Sequence, residues 1–208
     1  MQKISSVLII ANGAAEGKSF LKTQARAHDF ILALDGGADI ALKAGVTPDL
    51  AAGDLDSISA AARKRLGAVR LFKIARQDNT DLEKGLDLLS FIKPKNVTIV
   101  CAAGGRLDFT LSNFSSVFGY VKKFDIVFAG KGWRVYPLIK TRAFKTRRGA
   151  KVSLIPMDKC QGITLKNLKY PLKNASLKPG QTAVSNMAAA ANIEVKLKTG
   201  KLLAMIYE

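Results

Sequence analysis

Histidine and cysteine are nearly missing from this 208-residue chain, which has one histidine, His28, and two cysteines, Cys101 and Cys160. A lone histidine with no partner motif argues against serine–histidine or zinc–histidine chemistry. His28 reads instead as a surface residue near a helix end. Two cysteines without metal-ligand spacing argue against a disulfide framework and a zinc site, and leave two reduced, structural thiols. Long apolar runs are lacking too. None approaches the roughly 20 residues that span a bilayer, and the longest, 7–11 and 97–103, have strand length. The first six residues lead into a short apolar strand with no signal-peptide core or cleavage site, so the expected location is the cytoplasm. A true P-loop is also missing. Gly13-Ala14-Ala15-Glu16-Gly17-Lys18-Ser19 places three residues between its glycines where the motif needs four, and Glu16 would face the phosphates.

What the chain has in excess is positive charge: 33 basic against 16 acidic residues, a net +17. Such a field draws anions, nucleotides or nucleic acid among them. The basic residues are scattered, with a denser patch at Lys140, Arg142, Lys145, Arg147, Arg148 and Lys151. The patch has no interleaved stacking aromatics and no low-complexity tail, so a solvated basic surface is the stronger reading and a nucleic-acid site the weaker.

Residues 1–130 alternate strand-like and helix-like segments. Strands are expected at 7–11, 30–34, 50–52, 69–74, 97–102 and 126–129. Helices are expected at 18–27, 38–44, 59–66, 81–92 and 107–121, with Leu82, Leu86, Leu89 and Phe91 or Ile92 on one side of the fourth. Repeated β-α units predict an α/β fold, a mainly parallel sheet with helices on both faces, and a ligand site beyond the carboxyl ends of its strands. From Gly130 onward the pattern changes to short strands separated by turns, at 135–139, 151–156, 162–168, 183–185, 192–197 and 202–207. These predict a small antiparallel β-sandwich, with the boundary between residues 130 and 146.

Three strand-end segments carry the chemistry. In Gly53-Asp54-Leu55-Asp56-Ser57, residues two apart on an extended segment project to one side, so Asp54 and Asp56 converge. Two such carboxylates repel unless a hard cation such as Mg²⁺ joins them. Gln77-Asp78-Asn79-Thr80-Asp81-Leu82-Glu83-Lys84 joins a strand to a helix. Asn79 or Thr80 suits a helix cap, Asp81 would complete the metal site, and Lys84 would neutralise phosphate charge. Gly104-Gly105-Arg106-Leu107-Asp108 offers close backbone approach, free N–H groups for an anion, and a guanidinium for phosphate oxygens. Asp35-Gly36-Gly37 ends the second strand and suits either a tight turn or a nucleotide cradle. Together these segments describe a Mg-nucleotide site.

In order and spacing, these motifs resemble the thiamine pyrophosphokinase family. The resemblance rests on Asp35-Gly36-Gly37, Pro48-Asp49, the Asp54–Asp56 segment, Gln77 to Asp81 with Glu83-Lys84, and Gly104 to Asp108 followed by Leu111-Ser112-Asn113. It extends to Gly162-Ile163-Thr164, Asn167 to Leu172, and Val184-Ser185-Asn186. It implies a Rossmann-like catalytic, ATP-binding domain over 1–135 and a thiamine-binding β-sandwich over 136–208. It also implies a homodimer with active sites between subunits, and transfer of pyrophosphate from ATP to thiamine. Asp54, Asp56 and Asp81 would hold Mg²⁺ and, with Lys84, form the catalytic set. Asp35, Gly36, Gly37, Gly104 and Gly105 would line ATP. Gln77, Asp78, Thr80, Arg106 and Asp108 would place substrates, with Tyr170, Ser185 and Asn186 on the thiamine side. Two positions depart from the family: Tyr170 stands where tryptophan is frequent, and Phe109 where bacterial relatives commonly carry histidine. Both fall near the acceptor, which keeps a diphosphokinase acting on another small alcohol, such as a pterin, as the rival.

Overall fold

The computed structural model describes residues 3–75 and 78–208. They fall into two compact units, 1–131 and 132–208. The division lies slightly before the expected 135/136 boundary, because strand β7 (Trp133–Leu138) pairs residue for residue with the last strand, β14 (Leu202–Tyr207).

In the first unit, β1 (Ser6–Ile10), β2 (Phe30–Leu34), β3 (Leu50–Gly53), β4 (Leu71–Lys73), β5 (Asn96–Val100) and β6 (Asp125–Gly130) pair in parallel in the order β6-β5-β1-β2-β3-β4. Five helices connect them: α1 (Lys18–Arg26), α2 (Gly37–Lys43), α3 (Ala60–Leu66), α4 (Asp81–Ile92) and α5 (Leu107–Ser116). The inner strands are apolar on both sides, as a sheet covered on two faces requires. Ala33 and Ala51 pack with Ala38, Leu42, Ala62 and Leu66 of α2 and α3. Leu32 and Leu34 lie on the opposite face beneath α4, where Gly85 leaves room for them. The chain runs β1-β2-β3-β4 toward one edge and β5-β6 toward the other, so the strand order switches between β1 and β5. In sheets of this kind, that switch opens a crevice at the strands' carboxyl ends.

Element types follow the sequence closely, and the differences have local causes. Residues 68–70 form a 3₁₀ turn ahead of a three-residue β4. Helix α5 ends at Ser116 and continues as a 3₁₀ turn to Gly119. In α4, Leu82, Leu86 and Leu89 are buried while Phe91 is 86% exposed, since it lies on the far side of the helix from that stripe. His28 is half-buried rather than a surface residue. Its ring nitrogens meet Gln24 O at 2.6 Å and Thr98 Oγ1 at 2.8 Å, tying the end of α1 to β5. Both cysteines are buried and free.

In the second unit, one antiparallel sheet has the order β12 (Ala183–Met187), β9 (Lys151–Pro156), β14, β7. The other has the order β11 (Ala175–Leu177), β10 (Cys160–Lys166), β13 (Asn192–Lys196), β8 (Arg142–Lys145). Their inward residues, among them Phe144, Val152, Leu154, Ile163, Val195 and Ile206, share one core. Strands β8 and β11 are additions to the sequence reading. The first has a single buried residue, Phe144, between the exposed Ala143 and Lys145, and the second is only three residues long. Among the described residues, no helix is long and apolar enough to cross a membrane.

Candidate active site

The loops after β1, β2, β3 and β5 and the start of α4 enclose a cavity of about 500 Å³ in the first unit. Its floor is made by close backbone approach. Gly13 N–H donates to Cys101 O at 2.7 Å and Ala14 N–H to Ala103 O at 3.2 Å, which zips the loop after β1 to the loop after β5. A Cβ on Gly37 would run into the Ile10 carbonyl, so α2 can begin against β1 only with glycine there. The near-P-loop is an ordinary strand-to-helix loop. Gly17 caps α1, and Glu16 accepts from Lys131 N–H at 3.2 Å.

Three carboxylates, those of Asp35, Asp54 and Asp56, each place an oxygen within 4.8 Å of the others. The reason differs from simple alternation along an extended strand. Leu55 is left-handed at φ 68°, and Gly53 has φ 146°, so the chain turns between the two aspartates instead of running straight. A bulky residue in that region costs on the order of 1–3 kcal/mol and persists only where its surroundings hold it. Leu55 is held by burial among Ile58, Ala62 and Leu66, and by its carbonyl, which accepts from the Arg63 guanidinium. Asp35, at the end of β2, is left-handed as well, at φ 47°.

The electrostatics separate the three acids. Asp54 Oδ1 accepts from Asp56 N–H at 3.2 Å. That bond, with the charges of Lys84 and Lys73, holds the Asp54 carboxyl below its ordinary range. Asp35 is 3% exposed. Burial pushes its pKa up; a hydrogen bond from Ser57 opposes this, and the charges of Asp81 and Asp54 add to it. Three converging acids in a cavity with one raised pKa are the arrangement a hard divalent cation relieves.

Because the folded-state pKa of Asp35 lies above its unfolded value, the native state favours its neutral form. The advantage is present below about pH 4 and is lost as pH rises through the folded pKa. The amide of Asp35→Asn does not titrate. Melting curves in chelator should therefore show the variant more stable than wild type near neutral pH, by about 2–4 °C, with the gap closing toward pH 4. A variant less stable than wild type at pH 7 would show that Asp35 is held as a favourable anion.

Asp81 begins α4 behind a complete capping box, in which Glu83 N–H donates to Thr80 Oγ1 and Thr80 N–H donates to Glu83 Oε2. Thr80 therefore serves the helix cap as well as lining the cavity. Asp81 lines the cavity too, but its Oδ1 takes a 3.0 Å bond from Lys84 Nζ, and Lys84 is 6% exposed. So in this structure Asp35, expected along the nucleotide, stands with Asp54 and Asp56, while Asp81, expected as the third metal ligand, is paired with Lys84. Asp78 is exposed, and Gln77 lies outside the described residues.

On the other wall, Gly104 and Gly105 are left-handed at φ 80° and 72°. Arg106 grips Asp108 through two bonds, Nε at 3.1 Å and the terminal nitrogen at 2.5 Å. The pair raises the Arg106 pKa and lowers that of Asp108. Both are exposed, so either can exchange this partner for a ligand at little cost. Asn12 and Asn113 also line the cavity, though neither stood among the expected site residues. Asn12 follows β1 at the strand-order switch, which is the signal that could have found it.

In the second unit, Tyr170 is 58% exposed. Asn186 fixes its backbone by reciprocal bonds, Tyr170 N–H to Oδ1 at 3.0 Å and Nδ2 to Tyr170 O at 2.6 Å. Asn186 is buried, and both ends of its amide meet the Tyr170 backbone. Ser185 is left-handed at φ 58°, with its N–H on Ser153 Oγ at 3.1 Å.

Comparison with known proteins places these features. The catalytic-domain model of thiamin pyrophosphokinase matches residues 21–128, and its vitamin B1 binding domain matches residues 141–202. The chain belongs to the thiamin pyrophosphokinase family. The two family models divide the chain as its two units do. A thiamine pyrophosphokinase from Bacillus subtilis is 28% identical over 192 residues, covering 88% of this chain and 89% of that protein. The crystal structure of the Bacillus subtilis thiamine pyrophosphokinase superposes with a TM-score of 0.87 at 25% identity, over 98% of this chain and 99% of that one. The yeast thiamin pyrophosphokinase shares the fold at 16% identity, with a TM-score of 0.84 over 100% of this chain and 88% of that one.

Proposed function

We propose that the chain transfers a pyrophosphoryl group from ATP to the hydroxyl of thiamine, giving thiamine diphosphate and AMP. The observation that carries this reading is the convergence of Asp35, Asp54 and Asp56 in a cavity that Arg106 also lines, with Lys84 paired to the lining Asp81, within the segment matched by the family's catalytic domain. The donor set suits Mg²⁺, which takes carboxylate oxygens in an octahedron and keeps positions for phosphate. Asp54 and Asp56 would hold it, with Asp35 and Asp81 as the adjoining carboxylates. When bound, the cation supplies neutralising charge at the phosphates.

The thiamine hydroxyl oxygen forms a bond to the β-phosphorus, and the bridging oxygen leaves with the bonding electrons on AMP. The hydroxyl proton passes to a carboxylate of the site, with Asp81 and Asp78 the candidates. Lys84 and Arg106 stabilise the charge that develops on the phosphate oxygens, and Gly104 and Gly105 admit the chain of phosphates to the backbone. Asp108 orients Arg106. The net charge of +17 favours encounter with ATP. The enzyme works as a homodimer in the cytoplasm, where the exposed Tyr170 ring and Ser185 of a second copy contact thiamine. Tyrosine offers its face to the cationic thiazolium, a contact of about 0.5–2 kcal/mol.

The test is product analysis with ATP, Mg²⁺ and either thiamine or a pterin alcohol. AMP and thiamine diphosphate should form in equal amounts, and chelator should stop both. Production of ADP, or AMP release with the pterin and not with thiamine, would overturn this reading.

A further inference from the structure

One wall of the cavity carries a recognition element that phosphate and metal chemistry leave unused. Phe109 and Asn113 stand four residues apart on α5, hence on one face of the helix. Both line the cavity. Phe109 is 47% exposed, a large apolar surface to leave open, and the Arg106 guanidinium lies 4.4 Å from its ring centroid. Asn113 is only 9% exposed, and its Nδ2 donates to Ala102 O at 2.9 Å. A carbonyl only accepts, so this bond fixes which end of the amide is which. The nitrogen faces the backbone after β5, and Oδ1 is left as the acceptor. Among the described residues Oδ1 takes no hydrogen bond. A nearly buried, orientation-locked acceptor beside a half-exposed aromatic ring, one face of which carries the Arg106 guanidinium, has a definite complement: a flat ring that bears an N–H donor.

We infer that Phe109 and Asn113 form a specificity subsite for a nitrogen heterocycle with an exocyclic amine, the ring packing on Phe109 and the amine donating to Asn113 Oδ1. The inference rests on the cavity being the substrate site. Two substrates of the proposed reaction carry this chemistry, adenine in ATP and the aminopyrimidine in thiamine. Replacing the amine by oxygen turns the donor into an acceptor and sets it against Oδ1, so the subsite should reject the oxo or hydroxyl analogue.

Calorimetric binding with Mg²⁺ present separates the sources. The probes are ATP against inosine triphosphate, and, with an unreactive ATP analogue bound, thiamine against its hydroxypyrimidine analogue. In wild type, one pair should differ by about 10- to 100-fold in Kd. In Asn113→Ala that ratio should fall to within about threefold of unity while the other pair stays as in wild type; the pair that collapses identifies the source. Phe109→Ala should weaken both members of that pair alike. A ratio of Kd values does not depend on the fraction of folded protein, so general destabilisation does not imitate the effect. Equal affinities within both pairs in wild type, which needs no variant to fold, would overturn the inference, as would discrimination that survives Asn113→Ala. If the ratio collapses but ATP and thiamine yield no AMP, the subsite stands and the proposed reaction fails. If AMP forms and both ratios persist, the reaction stands and the subsite is removed.

Discussion

Asp54→Asn and Asp56→Asn should each lower AMP release from ATP and thiamine by about a thousandfold or more while leaving the fold intact. The two acids occupy a turn whose shape is set elsewhere, by Leu55 in its buried, left-handed position and by the Arg63 contact to the Leu55 carbonyl. An asparagine at position 54 still accepts the Asp56 N–H through its oxygen, so the local hydrogen bond survives. What disappears is one negative charge from a cluster of three, and with it the ability to hold a divalent cation against ATP. The Asp56 N–H and the charges of Lys84 and Lys73 favour the Asp54 anion in the fold, so Asp54→Asn should melt slightly below wild type in chelator while still unfolding in one cooperative transition. A variant that retains near-normal turnover would remove these aspartates from the chemistry. A variant that fails to fold would show that the cluster serves structure first.

The second large effect concerns stability. Gly37→Ala places a methyl group against the Ile10 carbonyl at the point where α2 starts on β1. Backbone cannot yield there without disturbing the centre of the parallel sheet, so the substitution should cost about 2–4 kcal/mol and lower the melting temperature by about 5–10 °C. Gly17→Ala is the matched control, since a Cβ at Gly17 meets nothing within 4 Å and its φ of −60° suits any residue. Equal melting of the two variants would mean that the β1–α2 contact is looser than its geometry states.

The alternation of apolar strands with amphipathic helices made the first unit legible, because parallel inner strands read as short continuous apolar runs and α4 carries a clean leucine stripe. The strand-end loops were legible because aspartate, glycine, arginine and lysine recur there at one edge of the sheet. The sequence suggested that Asp54 and Asp56 point to one side, and they do gather. The cause is a left-handed leucine, and no propensity announces leucine at positive φ. Asp35 joins them for a reason of the same kind, a left-handed turn after β2 at a segment that suited either a tight turn or a nucleotide cradle. Asp81 and Lys84 are a helical turn apart, a spacing that fits a pair, but burial of the lysine comes from tertiary packing. Asn113 was one polar residue in a family-like stretch. Its meaning depends on where the Ala102 carbonyl lies, which only the folded chain supplies. Strand β8, with one buried side chain, owes its place to the register with β13 rather than to its own pattern.

The most direct test of the central claim is a titration of Mn²⁺, as a paramagnetic stand-in for Mg²⁺, in the presence of an unreactive ATP analogue. Water-proton relaxation should report one tight site in wild type, and that site should be lost in both Asp54→Asn and Asp56→Asn. Undiminished Mn²⁺ binding in the two variants would contradict the view that the carboxylates of Asp54 and Asp56 meet around a single ion.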